Sequence, residues 1–186
     1  MAVIEYRRAR AADYHAILAL QSANYIANLS EEERKEGFLS AQFTLEQTAA
    51  IAEDLGTMVA LVDEQLAGFL CAFRNEFDTG SPVIARMLEC YDRFTFEGRS
   101  LASFPSYIYG PVCIARDYRR RGLLRGLYEA QRHDLAGRFA IGVAFVARNN
   151  PHSLQAHVRG LGMSEVGDFE CRGQRYATLA FRLPPK

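Results

Sequence analysis

The fold of this chain is decided by residues 112–127, which read VCIARDYRRRGLLRGL. The first of these residues form an apolar strand, the middle ones a short turn, and the last ones the start of an amphipathic helix. Five arginines lie between Arg116 and Arg125, where the helix begins. Cations are unfavourable at the positive end of a helix, so the pattern predicts a bound anion such as a phosphate or diphosphate. Gly122 has no Cβ and would let the backbone approach that anion closely.

The alternative for this turn is a solvated basic surface, which is the usual explanation of a run of like charges. The agreement of strand, arginines, glycine and helix favours the anion site. Two well-known phosphate-binding patterns, GxxxxGK[ST] and GxGxxG, are absent from the sequence. Neither a Walker loop nor a Rossmann loop therefore explains the turn.

Residues 119–124, RRRGLL, resemble the acetyl-CoA-binding motif of the GNAT superfamily, whose core is [Q/R]xxGx[G/A] after a strand. The sequence matches at Arg119 and Gly122 and departs at Leu124, whose side chain must point away from the diphosphate. The resemblance implies an N-acetyltransferase that uses acetyl-CoA as its co-substrate. It also implies that the diphosphate is held by the backbone N–H groups of Arg119, Arg120, Arg121, Gly122, Leu123, Leu124 and Arg125.

The strand before the turn has a role in the same resemblance, which implies that the backbone of Val112, Cys113 and Ile114 pairs with the pantetheine arm. An extended arm that carries amides can add to a strand edge as if it were another strand. Gly110-Pro111 lies just before these residues, and a proline cannot donate to a ladder. A bulge at this point would leave room for the cofactor, and a plain edge strand with a proline is the alternative.

A second group of candidate residues follows the strand that ends near Ala147. Asn150 and Ser153 are candidate cofactor-binding residues, and the structural explanation for each is that it caps the next helix. The segment also resembles the GNAT segment in which an Asn contacts the pantetheine and a Tyr seven residues later protonates the departing thiolate. Counting from Asn150 gives His157, whose ring can carry that proton. The alternative is a helix histidine with no role.

The rest of the chain reads as strands and helices that alternate around one sheet, which predicts a mixed α+β fold. By the resemblance, this is a central, splayed and mostly antiparallel sheet of about six or seven strands, flanked by helices on both faces, in a single domain. Predicted strands are 2–8, 57–62, 66–73, 106–115, 138–147, 163–171 and 174–183. Predicted helices are 11–24, 31–36, 45–55, 82–91, 119–135 and 153–159, and residues 74–105 otherwise read as a long connection.

Composition excludes several classes of function. The 186 residues carry 22 basic and 22 acidic side chains, which gives no reason to expect nucleic acid as a partner. The amino-terminal residues lack an apolar signal-peptide core, and no apolar run approaches the length of a membrane helix, so we expect a cytoplasmic protein. The four cysteines lack zinc-site spacing, which predicts no metal. A homodimer is compatible with the sequence.

The predicted reaction is direct attack of a primary amine, on a small molecule or a peptide, on the acetyl thioester. Tyr109 is a candidate base, together with Glu76, Asp78 or a chain of water molecules. Tyr107 and Tyr109 share one face of their strand and could instead belong to the core. Two further functions share the cofactor signals: a catalytically silent acetyl-CoA-binding module, and a transferase for longer acyl-CoA.

Overall fold

The computed structural model describes residues 2–186. Its helices carry local signals that the sequence shows: Ser30 and Thr44 cap two of them, each in a capping box with the residue three positions later. The α-helices are α1 Tyr14–Ala23, α2 Glu31–Arg34, α3 Leu45–Asp54, α4 Pro82–Leu88, α5 Leu123–Asp134 and α6 Pro151–Gln155.

Seven of the nine strands form one sheet, in the order β1-β2-β3-β6-β7-β9-β8. The pairing of β6 with β7 is parallel, whereas β1–β2, β2–β3, β7–β9 and β8–β9 are antiparallel. This confirms the predicted α+β fold with a mostly antiparallel sheet and flanking helices. The strands are β1 Ile4–Arg8, β2 Thr57–Val62, β3 Gln65–Arg74, β4 Thr95–Phe96, β5 Arg99–Ser100, β6 Ser106–Ile114, β7 Ile141–Ala147, β8 Ser164–Cys171 and β9 Gln174–Arg182.

The chain divides into two compact units, and the first contains the residues up to Phe73 together with Tyr109–Asp134. Its core is mostly apolar, with Ile51, Val59 and Leu127 almost completely buried. Helix α5 packs on β1 and β2 in this unit. The contact is so close at Gly126 that a Cβ there would lie 2.1 Å from the ring of Tyr6. A glycine in the middle of this helix is therefore explained by packing.

The second unit contains Arg74–Ile108 and Leu135–Lys186. Strands β7, β9 and β8 form its sheet, and α4 packs against β8. Aromatic rings fill the places where glycines remove a side chain: Phe181 lies over Gly142 and Phe94 over Gly167. That the chain is a single domain stays a prediction.

Three stretches differ from the sequence prediction. Helix α5 begins at Leu123 and not at Arg119, because residues 116–118 form a 3-10 turn and Arg119 is extended. Residues 74–105 contain a small hairpin, β4–β5, whose turn at Glu97 and Gly98 has positive φ. The helix predicted at 153–159 begins at Pro151 and continues as a π-helical turn over Ala156–Gly160.

Candidate functional site

The turn after β6 is held to the first unit by backbone bonds. The N–H of Ala115 donates to the carbonyl of Ala67 on β3 (2.8 Å), which fixes the end of β6. The N–H groups of Tyr118 and Arg119 then donate back to Ala115 and Arg116, at 2.9 and 3.2 Å. The amide of Arg119 is therefore already used within the turn. The amides that can hold an anion begin one residue later than the sequence predicted.

Two residues with left-handed backbone lead into α5. Arg120 has a φ of 61° and Gly122 a φ of 82°, a region that glycine adopts easily and arginine only at a cost of about 1–2 kcal/mol. Gly122 is exposed, and a Cβ built on it would meet no atom within 4 Å. The backbone at Gly122 is thus open to a ligand from outside the turn.

Four other helices are capped by a side chain at their start, and α5 is not capped by the residue before it. Side-chain oxygens of Ser30, Thr44, Ser81 and Asn150 accept from backbone N–H groups at the starts of α2, α3, α4 and α6. The residue before α5 is Gly122, which has no oxygen to offer. The first intrahelical bond of α5 runs from the N–H of Gly126 to the carbonyl of Gly122 (3.0 Å). The N–H groups of Leu123 and Leu124 therefore have no acceptor inside the helix.

The arginine side chains do not point together at one anion. Arg116 pairs with Glu33 (2.8 Å), Arg120 reaches Glu36 (3.4 Å), and the Arg121 guanidinium lies over the Tyr118 ring, 5.5 Å from its centre. The sequence interpretation needed an outside anion to balance all these charges, and carboxylates of the same unit supply part of that balance. The candidate anion site consequently rests on the backbone N–H groups at the start of α5.

The strand residues Val112, Cys113 and Ile114 lie beside β3. A Cβ on Gly68 would come within 2.9 Å of the Cys113 carbonyl and 2.7 Å of Ile114 Cδ1, so this part of β6 packs tightly on β3. Val112 and Ile114 are half-buried, and Cys113 is buried. Burial raises the pKa of the Cys113 thiol to about 12. The thiol is therefore protonated at neutral pH, which agrees with a packing role and excludes an activated nucleophile.

In the second unit, Asn150 and Ser153 are brought together as a helix cap. The Asn150 Oδ1 accepts from the Ser153 N–H (3.4 Å), and Asn150 is buried. This is the structural explanation that the sequence offered. The contact of Asn150 with pantetheine stays a prediction.

His157 lies four residues beyond Ser153, on the π-helical turn, with 4% of its surface exposed. Its Nδ1 is 2.7 Å from the Ser153 carbonyl, a distance that assigns the proton to Nδ1. Burial lowers the pKa of His157, so the ring is neutral at pH 7. A neutral ring of this tautomer can accept a proton at Nε2 but has none to give there. Its environment thus opposes the predicted role as the acid that protonates the thiolate.

The pKa of Tyr109 is shifted upward, in the opposite direction to that of His157. Burial, and to a smaller extent Tyr128, raises the pKa of Tyr109 well above its usual value. The two rings meet edge to face, with centres 6.2 Å apart. A phenol that holds its proton this tightly is a poor base at neutral pH but remains a hydrogen-bond donor. The physical chemistry of the site therefore opposes the base role predicted for Tyr109.

Sequence reasoning missed Asn24, Glu33 and Glu36 as partners of the turn. Asn24 was predicted as the last residue of one helix, and the two glutamates as part of another, at 31–36. Glu33 does have a local signal, because it completes the capping box with Ser30. Nothing local indicates that Arg116 and Arg120 reach these carboxylates.

Residues 2–186 show neither a metal-binding cluster nor a membrane-spanning helix. Within residues 2–186, no group of three or more His, Cys, Asp or Glu side chains is arranged to hold a metal ion. Over the same described range, no helix has the length and hydropathy that crossing a bilayer requires.

Comparison with known proteins gives relatives by structure only. No protein-family model matches the sequence, and no curated protein matches it. Many solved structures match the fold over nearly the whole chain.

Three of these structures illustrate the similarity in fold and the low sequence identity. A Desulfovibrio desulfuricans protein assigned to the GNAT family of acetyltransferases matches with a TM-score of 0.63 and 13% identity, over 98% of this chain and 100% of that one. The ribosomal-protein-S18-alanine N-acetyltransferase of Escherichia coli matches at 0.63 and 12%, over 97% and 94%. A Salmonella typhimurium protein thought to be an acetyltransferase, solved with its cofactor acetyl-CoA, matches at 0.59 and 15%, over 97% and 94%. The chain therefore has the GNAT fold.

Proposed function

We propose that this chain is an N-acetyltransferase that moves the acetyl group of acetyl-CoA to a primary amine. Three observations support the proposal: the GNAT fold, the partial match of residues 119–124 to the acetyl-CoA motif, and the start of α5. The match alone is incomplete, because Leu124 stands where the motif has a small residue. Leu124 is half-buried, in keeping with a side chain turned away from the solvent side of the turn.

The observation that carries the proposal is the uncapped start of α5 behind an open glycine. A helix of 12 residues has a full dipole, and its first N–H groups need acceptors. A diphosphate supplies several oxygens and two negative charges to such a helix end. The residues present therefore fit the group: the N–H groups from Arg120 to Arg125 would hold the diphosphate, and the backbone of Val112–Ile114 would pair with the pantetheine arm.

When bound, acetyl-CoA supplies an acetyl group that is already activated as a thioester. The chain's contribution is to hold that thioester beside a strand N–H and to bring the amine close in its neutral form. Tyr109 takes part as a protonated phenol that donates a hydrogen bond. His157, neutral and protonated at Nδ1, is suited to accept a proton. These roles reverse the ones expected from the sequence, because burial shifts the two pKa values in opposite directions.

The function is tested in two steps. Titration calorimetry with acetyl-CoA, free CoA and ATP should show binding of the two coenzyme A species and a much weaker response to ATP. A panel of primary amines, from small polyamines to peptides with a free amino terminus, is then incubated with acetyl-CoA while the released thiol is detected. Binding with thiol release that depends on an amine supports the proposal, and absence of coenzyme A binding refutes it.

A result between these two would identify a different function of the same site. Tight binding of acetyl-CoA with no transfer to any amine would identify a silent acetyl-CoA-binding module. Tighter binding of a longer acyl-CoA would identify that thioester as the substrate.

A further inference from the structure

Arg119 makes three bonds to three separate pieces of the first unit. Its Nε donates to the Ile114 carbonyl at the end of β6 (3.2 Å), and one terminal nitrogen donates to the Glu36 carbonyl (3.0 Å). The other terminal nitrogen donates to Oδ1 of Asn24 (2.8 Å). A planar guanidinium that reaches three fixed oxygens holds its own backbone in one place.

The Asn24 end of this network is itself rigid. Asn24 is buried, and its Nδ2 donates to the Leu20 carbonyl of α1 (2.9 Å). Its own carbonyl accepts from the N–H of Leu39 (2.8 Å), and Tyr25 forms a bridge with Leu39. Residues 24–39 thus form a loop that is closed at its base by Asn24 and Leu39. We call this segment the 24–39 loop.

The 24–39 loop contains little regular secondary structure. Its longest regular element is α2, with four residues, and a helix of that length is not stable alone. Its other links to the turn are the pairs Arg116–Glu33 and Arg120–Glu36, both of which are solvent-exposed and weak. Arg119 is half-buried, so its bonds to Asn24 and Glu36 are better shielded from solvent than these two pairs.

Arg119 also directly precedes Arg120, whose backbone conformation sets the direction of the N–H groups at the start of α5. Arg120 is the next residue and adopts a left-handed conformation that costs free energy, so its geometry depends on being held from both sides. Arg119 holds it on one side, and α5 on the other. An anion on the amides and the Arg119 bonds therefore stabilise the same conformation of the turn.

We propose that Arg119 is a positioning residue that couples the 24–39 loop to the diphosphate turn, so that occupancy of the turn orders the loop. The proposal rests on the proposed function for its ligand, coenzyme A. Coupling of this kind is reciprocal: if the bound ligand restrains the loop, the anchored loop raises the affinity for the ligand. Arg119 acts through the backbone and need not touch the ligand.

The test is hydrogen–deuterium exchange with free CoA as the probe, at a saturating concentration for each protein. In the unaltered chain, CoA should slow exchange in peptides that cover 120–126 and also in peptides that cover the 24–39 loop. In Arg119→Ala, CoA should slow exchange only in 120–126, and its dissociation constant should rise about tenfold. Arg8→Ala is the matched control, because Arg8 donates two bonds to Asp134 elsewhere in the same unit. That variant should behave as the unaltered chain does.

Each outcome decides between the two proposals. Absence of protection in 120–126 of the unaltered chain would refute the coenzyme A site itself. Protection of 120–126 without protection of the loop would refute the coupling alone, and so would loop protection that persists in Arg119→Ala. If Arg119→Ala does not fold, Asn24→Ala removes the Oδ1 acceptor of Arg119 and keeps the arginine. Its loop should then gain less protection from CoA than the loop of the unaltered chain, and equal protection would overturn the coupling.

Discussion

Replacement of Gly122 by alanine separates the folding role of this glycine from its proposed binding role. The φ of 82° at Gly122 is unfavourable for any residue with a Cβ, and the added strain is about 1–2 kcal/mol. No atom lies within 4 Å of the new Cβ, so steric overlap adds nothing to that cost. Gly122→Ala should therefore fold, with a free energy of unfolding lowered by about 1–2 kcal/mol.

Gly173 offers a matched control in another part of the chain. It lies in the turn between β8 and β9 with a φ of 76°, and a Cβ there would also meet no atom within 4 Å. Gly173→Ala should lose stability to the same extent as Gly122→Ala. Urea unfolding of both variants measures this equality, because the same backbone strain without overlap operates at both positions.

The two variants should differ in their affinity for acetyl-CoA. In Gly122→Ala the methyl group occupies the space through which a diphosphate would approach the first amides of α5, and affinity should fall at least tenfold, about 1.4 kcal/mol. Gly122→Asp should fall further, since a carboxylate would stand next to the phosphates. Gly173→Ala should bind as the unaltered chain does. Equal acetyl-CoA affinity in Gly122→Ala and Gly173→Ala would refute the assignment of the turn.

Three further predictions follow from burial and packing. Gly126→Ala should lower the free energy of unfolding in urea by about 1–3 kcal/mol, because its Cβ would overlap the ring of Tyr6, although alanine usually stabilises a helix. A gain in stability would contradict this packing. Adding Tyr6→Leu to Gly126→Ala should recover part of the loss. Burial lowers the pKa of His157 below its usual 6.5, so at low pH the unfolded chain binds a proton that the folded chain does not, and the free energy of unfolding should fall as the pH drops below about 6.5. In His157→Gln the free energy of unfolding should fall less steeply between pH 7.5 and 5.5. The same pH dependence in both proteins would argue against a neutral buried ring. Iodoacetamide followed by mass spectrometry should modify Cys171 well before Cys113, whose pKa is raised to about 12 by burial, and early modification of Cys113 would contradict that environment.

The sequence predicted those features of the fold that depend on neighbours along the chain. The cap at Asn150 was predicted because a cap and the N–H group that it accepts from lie within three residues of each other. The strands at 57–62 and 66–73 were predicted from two short apolar runs, and Asp63 and Glu64 between them have positive φ in the structure. Such signals survive in a single sequence because their physical cause is local.

The start of α5 was predicted wrongly for the opposite reason. Three consecutive arginines have good helix propensity, so the sequence favours a helix from Arg119. In the structure Arg119 is held outside the helix by bonds to Asn24 and Glu36, which lie 95 and 83 residues away. The helix begins at Leu123, four residues beyond Arg119 along the chain. No pattern within the motif could reveal partners so distant along the chain.

The chemistry of the candidate catalytic residues was equally out of reach. A histidine in a helix and a tyrosine in a strand can each be exposed or buried, and the sequence gives their spacing but not their surroundings. His157 and Tyr109 are both buried, and burial disfavours the charged form of each. The same physical effect raises the pKa of Tyr109 and lowers that of His157, and the catalytic roles of both residues stay predictions.

A crystal structure of the chain with bound CoA tests the central claim most directly, because it locates the diphosphate. We predict phosphate oxygens within about 2.7–3.2 Å of the N–H groups of Leu123 and Leu124, with the pantetheine arm alongside Val112–Ile114. A complex in which the diphosphate lies elsewhere, while those two N–H groups bind only water, would contradict the proposed site and with it the proposed acetyl transfer.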